Sequence, residues 1–449
     1  MIPNVLVIGE PGSGKSVAAA RDAVAFTGAV VVLDPHRESL ARLVLEHATG
    51  NVLFDRVSDL DHVLGYELLK PSVHADPLKR YQQNERRARL FVEIMMRRRG
   101  GDIASSPLME EYVMALLLGF LTQRISQPVR ILPYGLRPGT DEFRAFVQGI
   151  TLPELREKFL QLEGLKPRSL RSEIGSVTRL VDAVFRSPSF IARCEGTFDL
   201  GRFLQNRGKL IVERFDENED VSRTIMCGLN MLVTDHCESR EEPWPPVRIY
   251  LDECTNARTA GAFEERKAGE TRKFGLSWYF LCQYPNFPAG PDGYFQNCQR
   301  KEVYRTGNYE LARKMAAMIL PGLPKREEET RAGRMDALTT EIMTLEVGVR
   351  YVIDQGHARK QYVPMLASPW PDWPGLRAEK YLEKLCEIYT RPEYRKAAAL
   401  PSQDFCEPVT LPPSNSRDVS SPAVRLTLRR LEKRQTAGSK KNDDANECA

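Results

Sequence analysis

Two kinds of periodicity divide the chain. In the first 70 residues short apolar runs alternate with amphipathic stretches. Asn4 to Ile8 predicts a strand, Lys15 to Phe26 a helix, and Ala29 to Leu33 a second strand whose unbroken apolar run leaves no wet face. Asp34-Pro35 ends that strand and opens a helix through Leu45, with Asp34 as N-cap and Pro35 in the first turn. From about Lys70 to Leu200 the spacing becomes helical throughout, over Leu78 to Arg97, Leu108 to Arg124, Asp141 to Gly164 and Arg171 to Ala192. Alternation then resumes. Lys209 to Phe215, Val247 to Leu251 and Leu276 to Cys282 read as strands, with helices over Asp220 to Cys237 and Phe263 to Lys273. Glu302 to Arg305 and Gly348 to Ile353 are further strands, and Tyr309 to Leu320 is helical between them.

Strand and helix in alternation predict an α/β layer fold with a mostly parallel sheet flanked by helices. The expected organisation is a core split into residues 1–70 and 201–367 around an all-α insertion at 71–200. A proline-rich connector and a helix over Leu376 to Tyr389 occupy 368–394. The Ser-, Pro- and charge-rich composition of 395–449 predicts a disordered tail, in which Arg425 to Arg434 could form a short basic helix.

Composition narrows the class without naming a task. A chain of 449 residues exceeds one ordinary compact core. The longest apolar run, Tyr112 to Leu121, spans ten residues, about half of what a membrane crossing needs. The N-terminus lacks a basic n-region, so no secretory leader is expected. Nine cysteines, none in a C-x-x-C pair and none clustered with the six histidines, suit a reduced cytoplasmic protein without a structural zinc site. The net charge of +4 neither demands nor excludes a nucleic-acid partner.

Local chemistry is more informative. Gly9, Glu10, Pro11, Gly12, Ser13, Gly14, Lys15 and Ser16 fit the phosphate-loop pattern G-x-x-x-x-G-K-[ST] between an apolar strand and a helix, with Val17 following. Glycines let backbone N–H groups curl around a β-phosphate, and the helix N-terminus adds its dipole. Lys15 would reach the β- and γ-phosphates of ATP, and the Ser16 hydroxyl would bind Mg²⁺. The plain alternative is a glycine turn with a stray lysine. Val247 to Leu251 ends in Asp252 and Glu253, one carboxylate for the Mg²⁺ shell and one to act as general base on water; a solvated acidic turn is the alternative. The strand Leu276 to Cys282 ends in Gln283, an amide that could sense a γ-phosphate or simply cap the strand. Arg272 and Lys273 precede that strand, either as helix-end cations or as a source of a trans-acting arginine. Arg86, Arg87 and Arg89, and Arg97, Arg98 and Arg99, form basic clusters that read as a solvated face or as phosphate-backbone contacts. A place near a nucleotide also remains open for Asp34.

In this order the elements resemble the HerA–FtsK superfamily of ring-forming ATPases, and most of all the soluble ATPase region of type IV coupling proteins, the TraG/TraD group. The likeness runs from the first strand and phosphate loop through Val31-Val-Leu-Asp-Pro35, Gly208-Lys-Leu-Ile-Val212, Leu251-Asp-Glu253 and Glu270-Thr-Arg-Lys-Phe-Gly-Leu276 to Gln283, then Asn297-Cys298 and Tyr309 to Met315. It covers roughly residues 2 to 366, the insertion only in general pattern. The resemblance implies a RecA-like P-loop NTPase that forms a homo-hexameric ring and passes DNA through its centre by ATP hydrolysis. It makes Lys15 and Ser16 nucleotide ligands, Asp252 the magnesium residue, Glu253 the water-activating residue, Gln283 the sensor and Arg272 the trans-acting arginine. The sequence opens on the first strand, so the resemblance does not extend to the membrane anchor of coupling proteins or the barrel of HerA proteins. A partner nuclease or secretion channel stays open, with no membrane insertion expected of this chain. Cys254 stands where a small or apolar residue is more usual.

Two rivals belong to other classes. A small-molecule kinase or GTPase is disfavoured by the absence of an [NT]-K-x-D motif. An ATP-binding assembly scaffold with little turnover is disfavoured by the intact Glu253.

Overall fold

The computed structural model describes residues 2–35, 40–72, 75–97, 107–123, 127–214, 219–240, 245–254, 267–283, 297–324, 330–364, 366–370 and 374–397. The expected tail and its basic helix lie outside them from residue 398 onward. The strands are β1 (Val5–Ile8), β2 (Ala29–Asp34), β3 (Val52–Arg56), β4 (Lys209–Glu213), β5 (Val247–Leu251), β6 (Leu276–Cys282), β7 (Arg300–Val303), β8 (Val349–Asp354) and β9 (His357–Tyr362). They form one sheet in the order β3-β4-β2-β5-β6-β1-β7-β8-β9. The first seven of that order run parallel, and β8 and β9 add an antiparallel hairpin. This is the expected mostly parallel α/β layer.

Helices α1 (Lys15–Ala25) and α2 (Leu40–His47) follow β1 and β2. Between β3 and β4 come α3 (Pro77–Arg97), α4 (Pro107–Leu121), α5 (Asp141–Gly149), α6 (Pro153–Glu163), α7 (Pro167–Phe185), α8 (Pro188–Cys194) and α9 (Leu200–Gln205). The remaining long helices are α10 (Glu219–Glu238), α11 (Tyr309–Ile319), α12 (Arg331–Met343) and α13 (Pro374–Tyr389). Among the described residues, no helix is long and apolar enough to cross a membrane.

Alternation along each strand sends side chains to opposite faces. Val5, Val7, Val30 and Val32 pack under α1, α2 and α13. Leu6, Ile8, Val31, Leu33, Trp278 and Phe280 join a larger core that continues without a break into the helices between β3 and β4. Two helices expected to be continuous are broken. Asp141 to Gly164 divides because Leu152, which precedes Pro153, takes an extended conformation, and Arg171 to Ala192 divides at Ser187 before Pro188 for the same reason. Four elements had no clear sequence signal: β3, α9, α12 and β9.

The sheet edges are managed differently. On β9 only Ala358 is buried, and its exposed Arg359 and Lys360 discourage further pairing. At β3 the chain itself returns: the Tyr394 hydroxyl accepts from the Phe54 N–H at 2.7 Å and lies 2.8 Å from the Phe54 carbonyl. Arg395 bridges to Val63 beside it.

Candidate functional site

Every parallel strand points its C-terminal end to the same side of the sheet, and the three chemical motifs sit there on neighbouring strands. β6 lies between β1 and β5. Gln283, at the end of β6, therefore emerges between the phosphate loop after β1 and the acid pair after β5. Pro11, Gly12, Gly14, Lys15, Ser16 and Val17 line a cleft of about 390 Å³ together with Asp252, Glu253, Gln283 and Val347.

The loop needs its glycines for stated reasons. Gly12 and Gly14 have φ of 73° and 99°, a region that side chains other than glycine rarely adopt. A Cβ at Gly9 would come within 2.6 Å of the Tyr304 Cβ and 2.9 Å of the Ser13 hydroxyl. Gly14 caps α1 without any side-chain hydrogen bond, which leaves the helix N-terminus open to a ligand. The Ser13 hydroxyl is buried with no hydrogen-bond partner among the described residues.

Lys15 is 6% exposed. Its ammonium donates to the Gly9 carbonyl at 2.7 Å and the Glu10 carbonyl at 2.9 Å. Burial pushes its pKa below the ordinary lysine value, and the nearby Glu253 and Asp252 charges offset that only in part. Asp252 and Glu253 are buried as well. The Glu253 N–H donates to Asp252 Oδ1 at 3.0 Å, and Glu253 holds a left-handed φ of 45°. That conformation is costly for a non-glycine residue and turns the chain sharply after the strand. Gln283 Nε2 donates to Glu253 Oε1, so the amide reaches the carboxylate directly.

No family model matches the chain, and no curated protein matches it by sequence. Solved structures do match. One is the bacterial conjugative coupling protein TrwBdeltaN70 in an unbound monoclinic form, with 16% identity, a TM-score of 0.58, and 82% of this chain and 86% of that one covered. The plasmid coupling protein TrwB in complex with ADP and Mg²⁺ aligns with 15% identity, a TM-score of 0.59, and 82% and 87% coverage. The chain has the fold of the coupling protein TrwB. A further TrwB structure, in complex with the non-hydrolysable ATP analogue ADPNP, aligns at 15% identity with a TM-score of 0.56 over 82% and 87% of the two chains.

Within this TrwB fold the other sequence candidates fall into place one by one. Arg272 lies in a short 3-10 turn, Thr271–Phe274, at the start of β6. The seven residues of β6 separate it from Gln283, on the order of 20 Å along the strand. It does not join the cleft of its own chain. Lys273 is exposed beside it and rests over the Phe274 ring. Asp34 ends β2 fully buried, and its Oδ2 accepts from the Ala41 N–H at 2.8 Å, so it serves the start of α2. Arg86 pairs with Glu238 at 2.9 Å, Arg87 donates to the Lys70 carbonyl and lies 3.6 Å from Asp235, and Arg89 pairs with Glu85 at 2.7 Å. This cluster is thus locally neutralised; Arg98 and Arg99 lie outside the described residues.

The structure adds residues that no motif announced. The Tyr304 Cβ lies behind Gly9, and the Gly348 N–H donates to the Ser13 carbonyl at 3.0 Å. Asp22 of α1 accepts from Arg248 and from the Tyr250 hydroxyl of β5, which ties the loop helix to the acid-bearing strand.

Proposed function

We propose that the chain is an ATP-hydrolysing motor that works as a homo-oligomeric ring, a hexamer by family resemblance, and translocates or unwinds DNA. The observation that carries this reading is the convergence of Lys15, Ser16, Asp252, Glu253 and Gln283 on one cleft. The cleft also fits its cofactor. An uncapped helix N-terminus and a desolvated lysine both lack an anion with several acceptor oxygens. TrwB structures of the same fold hold ADP with Mg²⁺ and an ATP analogue, which supports the same ligands here.

In this reading the backbone of Gly9 to Gly14 and Lys15 hold the phosphates, while Ser16 and Asp252 hold Mg²⁺. The metal supplies charge neutralisation on the phosphoryl oxygens. Lys15, now held by two backbone carbonyls, would supply positive charge to the phosphates. Glu253 accepts the proton of the attacking water, and Gln283 holds the Glu253 carboxylate in place by its hydrogen bond. Arg272 lies too far away to act within its own chain, which supports a role at a neighbour's γ-phosphate in a ring.

ATPase activity with and without double- and single-stranded DNA, with mass measurement in solution, tests the motor. Turnover that rises with DNA in an oligomer is expected; a strict monomer with DNA-insensitive turnover would overturn it. The TrwB likeness also favours a specific setting, a conjugative-transfer ATPase that delivers DNA or protein to a secretion channel. Failure to associate with any channel component in a cell carrying one would remove that setting and leave the motor intact.

A further inference from the structure

The phosphate loop contains one acid, Glu10, beside the place where a polyphosphate must sit. Its like charge would oppose that ligand if the carboxylate faced the cleft. Instead the side chain turns toward the segment that follows β7. Its Oε1 accepts from Arg305 Nε, and its Oε2 accepts from the Gly307 N–H at 2.7 Å. The Glu10 N–H donates to the Arg305 carbonyl at 2.9 Å, and the Glu10 carbonyl accepts from Lys15 Nζ at 2.9 Å. One residue therefore joins the exit of β7 to the phosphate lysine. Neither Glu10 nor Arg305 lines the cleft.

We propose that Glu10 and Arg305 are a positioning pair, which holds the phosphate loop in its ligand-ready shape and removes the loop's own negative charge from the path of the nucleotide. The proposal rests on the nucleotide-binding reading above. The Arg305 and Glu10 side chains are 36% and 23% exposed, so the pair adds little to global stability. Its effect is local, because both carboxylate oxygens are engaged and the same residue's backbone fixes β7 and Lys15. Tyr304 behind Gly9 and Gly348 on the Ser13 carbonyl brace the same loop from this side. A loop that holds ground state and transition state alike affects affinity more than turnover.

Calorimetric binding of ADP with Mg²⁺, together with ATPase kinetics, tests the pair in the full chain. Arg305→Ala should raise the Kd and KM about tenfold and change kcat by less than about threefold. The charge swap Glu10→Arg/Arg305→Glu restores the ion pair but not the acceptor of the Gly307 N–H, so it should recover part of that loss, which a merely structural role would not produce. Arg305→Lys, which keeps the charge without the Nε–H, should lie between. Unchanged ADP affinity in Arg305→Ala, a fall in kcat at constant KM, or a swap no better than its single variants would overturn the pair while leaving the nucleotide reading in place. Absence of ADP binding by the unaltered chain would overturn both, and Lys15→Ala marks that floor.

Discussion

Lys15 and Arg193 are both buried cations, 6% and 0% exposed, and the protein treats them in opposite ways. Arg193 of α8 is saturated. It donates to both oxygens of Asp55 on β3 and to the carbonyls of Ser189 and Arg56, while the Tyr66 hydroxyl also bonds Asp55. Burial alone would lower the Arg193 pKa, but Asp55 outweighs it and the guanidinium stays firmly charged. Among the described residues Lys15 has two carbonyls and no direct carboxylate, and its pKa falls below the usual lysine value. A buried cation whose partners are complete holds the fold together. One whose partners are incomplete, at an open helix N-terminus, is built to receive an anion.

The largest expected effects separate these two roles. Arg193→Ala leaves Asp55 buried without its partner and should cost about 3–5 kcal/mol in urea unfolding. Lys15→Ala should abolish nucleotide binding with no loss of stability, since burying that charge costs the fold free energy. Equal destabilisation by both substitutions would erase the distinction. Next in size, Glu253→Gln should cut hydrolysis roughly a hundred- to ten-thousandfold while ADP and ATP still bind. Loss of binding instead would mean that the β5 acids support the loop rather than the chemistry.

Smaller effects test the margins of the comparison. Glu46 of α2 is buried, and burial would raise its pKa. Hydrogen bonds from Arg377 of α13 and from Ser368 outweigh that and hold the carboxyl below the usual range. Its folded pKa is depressed, so its stabilisation is present at neutral pH and lost as pH falls below the ordinary carboxylate range. Arg377→Ala should cost about 1 kcal/mol at neutral pH, discounted for the partial exposure of the arginine, and should flatten this acid-side slope. The alkaline behaviour of Lys15 is a further test of the comparison. A bound phosphate favours the charged lysine, so above its lowered pKa binding must take up a proton. Affinity should therefore fall toward tenfold per pH unit before an ordinary lysine would titrate. A flat profile up to that point would show that Lys15 is not desolvated in the free protein.

The same contrast explains how much of the molecule was legible in its sequence. β5 and β6 have the expected bounds, and β1, β2 and α1 differ by one residue at an end. Their apolar runs are bounded by glycine, charge or amide, and their chemistry lies within eight contiguous loop positions and two strand ends. β3 was missed because Asp55 and Arg56 look solvent-bound after Val52-Leu-Phe. The burial of Asp55 makes sense only through Arg193, 138 residues later in the chain. β9 hides because an edge strand with one buried side chain has no apolar pattern to read. Nothing local to Glu10 pointed to Arg305, 295 residues away.

The central claim is that this cleft hydrolyses ATP through Glu253. Phosphate release from ATP with Mg²⁺, measured for the unaltered chain and for Glu253→Gln at matched nucleotide occupancy, tests it most directly. The account predicts turnover by the first and a loss of at least about a hundredfold in the second. Equal rates in the two proteins, or no release by the unaltered chain when ATP is bound, would contradict it.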